Sequence, residues 1–256
     1  MKKTLSLWLE RALKGKLIFL LGFMGIGFLQ ILSSSYLPFF IPNTEIFPLW
    51  TAASWGVLIV VFALLHFMKK PLPYFGLILS VIMLLMAFCL QLPDLLNKEP
   101  FWEDIMKLGA WTSFLKLLSF SGACLWVDVQ AKKYKSIGRY FFAIMLIIFG
   151  IDHFLFETFV ITIFPDWFPI PTFWTKLTGA FLFLSGVCLL IDFKVREVSL
   201  LTAIMIFSWV WLIHLPLVIK SPYANNYNEI ISFFQAIAFS GIALMFAQKD
   251  SKVNTH

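Results

Sequence analysis

FGIDHFLFETFVITIFPDWFPIP, Phe149 to Pro171, is the stretch from which the fold can be read. It opens as an apolar helix and carries Asp152, His153 and Glu157 inside what reads as a membrane span. It closes in a proline-rich turn. Proline lacks a backbone donor and restricts the residue before it, so the span is expected to end at the turn. Apolar runs of similar length recur along the chain. About 20 helical residues cross a hydrocarbon core of roughly 30 Å, so each run predicts a transmembrane helix.

The composition agrees. The chain has 256 residues, 60% of them hydrophobic and 13% charged, with a mean hydropathy of +0.87. Soluble domains carry about 25% charged residues, so a water-soluble fold of this length would leave too much apolar surface uncovered. The 30 Phe and 10 Trp suit lipid-facing and interfacial positions. Eight spans are expected, near 17–34, 49–66, 74–93, 108–127, 140–160, 173–192, 198–218 and 228–247. Backbone groups in lipid must be satisfied internally, which requires helices here, since no stretch alternates like a barrel strand. The basic segment 1–16 resembles the start of a signal peptide. The run after it lacks a small-x-small cleavage site, so a retained first span is expected. Leu5, Trp8 and Leu9 predict a short helix on the membrane surface.

Net charge is +6, but the basic residues sit in short loops between apolar runs. They read as topology signals, so the lipid bilayer is the expected partner and nucleic acid is not. Lys2, Lys3, Arg11, Lys14 and Lys16 precede the first span. Lys69 and Lys70, then Lys132, Lys133, Lys135 and Arg139, then Lys194 and Arg196 follow spans two, four and six; Lys249 and Lys252 are in the tail. The positive-inside rule then puts both termini in the cytoplasm. Glu45, Asp94, Glu99, Glu103, Asp104 and Asp166 fall in the opposite loops. Cys89, Cys124 and Cys188 all lie in apolar runs, without C-x-x-C or metal-ligand spacing.

The chain resembles itself. PFFIP at Pro38–Pro42 matches PDWFP at Pro165–Pro169, and Trp50-Thr51 matches Trp174-Thr175. LQLP at Leu90–Pro93 matches IHLP at Ile213–Pro216, and SFSGACL at Ser119–Leu125 matches AFSGIAL at Ala238–Leu244. Four matches in the same order predict a duplication. A unit of four spans returns to its starting side, so the repeat is parallel. The expectation is an all-α polytopic membrane protein of eight transmembrane helices, arranged as two tandem parallel four-helix bundles. A basic segment 1–16 precedes a first repeat at 17–127; a basic linker at 128–139 leads to a second repeat at 140–247 and a tail at 248–256.

Charged side chains at a helix centre cost roughly 2.5–3.5 kcal/mol on insertion scales. Such residues in spans therefore default to a functional reading. Asp152, His153 and Glu157 are the leading candidates, and His153 and Glu157, four apart, share a face of a continuous helix. His214, Lys116, Gln235, Gln30 and Gln91 lie at similar depth, within roughly 12 Å of the outer surface at 1.5 Å rise per residue. Together they predict an outward-facing polar pocket, richer in ionisable groups in the second half. Other readings stay open. Lys116 can snorkel, the three glutamines can bridge helices, and His153 with Glu157 can be a structural pair. A metal set of His153, His214 and Asp152 or Glu157 is conceivable but is not assigned. Nucleophile elbow, P-loop, dinucleotide glycine and HExxH patterns are absent from the sequence.

Gly150-Ile-Asp-His153-Phe154, then Pro165–Pro169, then Gly179 and Gly186-Val-Cys-Leu-Leu190 resemble the DoxX-like family of small membrane proteins. The resemblance covers roughly 140–247, and the first half looks like a diverged copy with Phe28 near the place of His153. It implies a four-span bundle and, in some relatives, redox chemistry at the membrane with quinone or sulfur-compound partners. It also implies a bacterial cytoplasmic membrane. The family often has an acid soon after the first glycine of the second span; here Gly179-Ala-Phe-Leu182 has none. The expected function is a redox-associated or accessory membrane protein binding a small lipophilic or quinone-like molecule near the outer face. A permease, or an assembly protein without chemistry, are the alternatives. The sequence identifies no cofactor.

Overall fold

A computed structural model describes residues 15–33, 35–42, 47–96, 108–128, 130, 134–221 and 227–248, with the backbone alone at 108–110. The surface helix expected near Leu5 to Leu9 lies outside the described residues, as do basic residues 2, 3, 11, 14, 132, 133, 249 and 252 and the acids at 45, 99, 103 and 104.

Eight long helices form among the described residues. They are α1 (Gly15–Leu32), α2 (Leu49–Phe67), α3 (Phe75–Leu96) and α4 (Leu108–Val127), then α5 (Lys135–Leu155), α6 (Pro171–Leu190), α7 (Val195–Lys220) and α8 (Asn228–Ala247). All but α4 are long and apolar enough to cross a membrane on length and composition. Large apolar side chains such as Leu58, Phe88, Leu184, Leu201 and Trp211 stay exposed on their outer faces. That is unfavourable in water and natural in lipid.

Several boundaries differ from expectation. The fifth span ends at Leu155, not near 160. Phe156 leaves helical geometry at φ −112°, ψ 34°, and a separate short helix runs Glu157–Thr162. Its first residue is acidic, which the helix dipole favours at that end. Five residues given to the basic linker, 135–139, already belong to α5. Pro171 begins α6 at a first-turn position, where its missing donor costs nothing.

α3 and α7 share an unforeseen feature. Each contains a π-helical turn, Ala87–Gln91 and Val210–His214, with Pro93 and Pro216 two residues beyond. Leu92 N–H reaches back five residues to Ala87 O, and Leu215 N–H to Val210 O. A proline cannot donate to the carbonyl four residues back, and its ring crowds it; the wider turn accommodates that defect.

α2, α1, α8 and α7 pack in that order, as do α3, α4, α5 and α6, with α6 against α7. The first helix therefore packs on the last and the fourth on the fifth, and the two halves share one apolar core. At its centre the rings of Phe120 (α4) and Phe239 (α8) stack, 4.9 Å apart at 9°. The halves are thus interlocked, unlike two self-contained bundles. Lipid supplies no hydrophobic drive between helices, so close approach at small residues matters. A Cβ on Gly150 would lie 2.7 Å from Gly179 O, and one on Gly56 2.7 Å from Gly27 O. These two crossings, α5 on α6 and α1 on α2, are 123 residues apart, as are the π turns. That spacing sets Gln30, not Phe28, against His153.

Candidate functional site

The proline turns, the π turns and the starts of α4 and α8 gather at one end of the molecule. Gln91 Nε2 at the end of α3 donates to Pro38 O at 2.9 Å, and Lys220 at the end of α7 meets Asp166 at 3.3 Å. The latter pair is exposed on both sides and contributes little. At the opposite end, the buried Asp128 after α4 accepts from Leu77 N–H at 3.1 Å, capping the start of α3.

In the first half the glutamines Gln30 and Gln91 are engaged by backbone. Gln30 is fully buried. Its Nε2 donates to Ser35 O and its Oε1 accepts from Leu37 N–H, both at 3.0 Å. With Gln91 it pins loop residues 35–38 over the helix ends. Packing of Phe40 against Trp55 beneath that loop fills the space with rings.

The second half differs. Asp152 Oδ2, Thr175 Oγ1, Trp209 Nε1, His214 Nδ1 and Gln235 Nε2 are all buried without a hydrogen-bond partner. Arg139 Nε on α5 and Ser199 Oγ on α7 share that state, as does Trp55 Nε1 in the first half. Trp209 sits in a group of rings with Phe164, Phe168 and Trp174, at centroid separations of 5.8 to 6.1 Å. Thr175 follows Trp174, and His214 lies on the π turn just beyond Trp209. Gln235 is on α8, which packs on that turn. His214 is also near enough to Lys116 of α4 for their charges to interact.

Asp152, His153 and Glu157 do not form one cluster. His153 Nδ1 donates to Phe149 O at 2.6 Å, and its Cβ lies against Gly179. The G-x-x-H-F motif and Gly179 are therefore the parts of one helix crossing. Glu157, beyond the break at Phe156, meets Lys176 of α6 at 3.4 Å instead of sharing a face with His153. Among the described residues no group of three or more His, Cys, Asp or Glu could hold a metal, so the set of His153, His214 and a carboxylate does not converge. A groove of about 520 Å³ lies between α1, α7 and α8, lined by Met24, Phe28, Phe207 and Phe234 among others. Its lining is apolar, and none of the candidate polar residues lines it.

Thr175 and Trp209 were not among the candidates. Thr175 is an ordinary residue in an apolar run, and Trp209 reads as one more interfacial aromatic. The comparison of halves gave no signal for Thr175, because it matched Thr51 to it; only the structural spacing of 123 residues sets Ala52 in its place.

No protein-family model, curated protein or solved structure matches this chain. Fold and composition define a class: among the described residues the chain is all-helical, with seven helices fit to cross a membrane.

Proposed function

We propose that the chain is a DoxX-like membrane protein of eight spans in two tandem, similarly oriented halves, with both termini in the cytoplasm. Its second half binds a small lipophilic molecule, quinone-like in its head, at the outer, proline-turn end. One observation carries the binding reading. Seven buried polar atoms in that half lack partners, and five of them belong to Asp152, Thr175, Trp209, His214 and Gln235 rather than to the basic-loop ends of α5 and α7, whereas Gln30 and Gln91 in the first half are satisfied. Buried polar groups are almost always paired, so this set of orphans points to a guest or ordered water. Trp209 Nε1–H, Gln235 Nε2–H and Thr175 Oγ1–H are donors, which suits the carbonyl oxygens of a quinone-like head. The rings of Phe164, Phe168 and Trp174 suit its flat face.

A decyl-substituted benzoquinone, titrated into the protein in nanodiscs, should quench tryptophan fluorescence saturably. Gln235→Leu and Thr175→Val should each weaken binding about three- to tenfold, the worth of one neutral hydrogen bond. Unchanged affinity in both variants would refute the site. The repeat reading is supported by the matching π turns and glycine crossings, and the orientation by the basic loops. In a cysteine-free background, Trp167→Cys should react with an impermeant maleimide in intact cells, and Arg196→Cys only after lysis. The opposite pattern would invert the topology.

A further inference from the structure

Lys116 precedes Phe120 by four residues on α4, and Gln235 precedes Phe239 by four on α8. Residues four apart share a helix face. Both helices run away from the proline turns, so the stacked pair Phe120–Phe239 brings these two faces together. One turn nearer the proline turns, the same two faces carry Lys116 and Gln235. His214, from the π turn of α7, comes within electrostatic range of Lys116 there. Three helices thus contribute one polar side chain each.

What those side chains offer is mainly donors. Lysine has three N–H groups and no acceptor, and a glutamine nitrogen has two N–H groups. Gln235 is 3% exposed, and its Nε2, like His214 Nδ1, has no partner. Among the described residues Lys116 forms no ion pair; Glu157 and Asp166 are held by Lys176 and Lys220. A lone cation in a poorly solvated place is stabilised by an opposite charge. One lysine matches one negative charge, and an ammonium recognises an anion as a point charge without demanding a fork geometry.

We propose that Lys116, Gln235 and His214 form an anion site for the carboxylate head of an amphiphile, its oxygens accepting from Lys116 Nζ, Gln235 Nε2 and the imidazole. This rests on the binding reading above and gives its ligand a charge.

The test uses the full chain in nanodiscs, with decanoate, decanol and decylamine competing against decyl-benzoquinone quenching. Decanoate should displace the quinone and raise the melting temperature, and the other two should not. Lys116→Met should weaken decanoate about tenfold or more, the worth of one charge-assisted hydrogen bond. Lys116→Arg should keep most of the affinity, which separates lost charge from misfolding. Decanol competing as well as decanoate, with Lys116→Met without effect, would overturn the anion site and leave the pocket standing. Neither quenching nor any melting shift in the wild-type protein would overturn both.

Discussion

At the scale of single residues, position in a span does not decide what a polar side chain does. Gln30 and Gln235 are both buried glutamines in apolar helices, yet one has both ends bonded and the other has a free nitrogen. The difference lies in the loop that Gln30 meets after α1. Gln30 reaches Ser35 O and Leu37 N–H, and Leu37 is itself buried. Gln30→Leu would leave that N–H without a partner, at about 1–3 kcal/mol. Gln91→Leu would free only the carbonyl of Pro38, an exposed residue that water can reach. Thermal unfolding in detergent should therefore show a clear loss for Gln30→Leu and a smaller one for Gln91→Leu. Equal losses would mean that the glutamines do not act through the loop.

At the scale of elements, the apolar runs were legible because lipid imposes one length and one secondary structure on them. Seven of the eight expected spans correspond to helices that pass on length and apolarity, and the eighth run, Leu108–Val127, is helical. Their internal defects were not legible. The break at Phe156 lies within a run that is apolar on average on both sides, so its mean hydropathy does not mark the position. It mattered, because the pairing of His153 with Glu157 assumed an unbroken helix. The π turns were signalled only by Pro93 and Pro216, and a proline alone does not say whether a helix ends, kinks or widens. For the candidate site, the depth of Lys116, His214 and Gln235 could be read from spacing. Their meeting depends on which helices are neighbours, and no single-sequence periodicity encodes that.

At the scale of the whole molecule, the order of packing has consequences for how the chain can be divided. α1 lies on α8 and α4 on α5, so each half buries its innermost helices against the other. A Cβ on Gly122 of α4 would lie 2.5 Å from the Cα of Gly138 on α5, a contact that brings the halves together. Ser119 of α4 donates to Met145 Sδ of α5 at 3.1 Å, and Trp126 meets Phe246 at 6.4 Å. Helices in lipid associate through such close fits and not through exclusion of water, so a half without its partner would expose glycine-bearing grooves and a polar edge with nothing to fill them. Splitting the chain between 133 and 134 leaves every long helix intact. The two fragments, co-expressed with a tag on one, are expected to co-purify at one-to-one stoichiometry and to bind decyl-benzoquinone as the intact chain does. Expressed singly, each should be degraded or recovered as aggregate. A lone second half that is monomeric and melts near the intact protein would contradict the interlocked core, because its α5 and α8 would then be stable without α4 and α1.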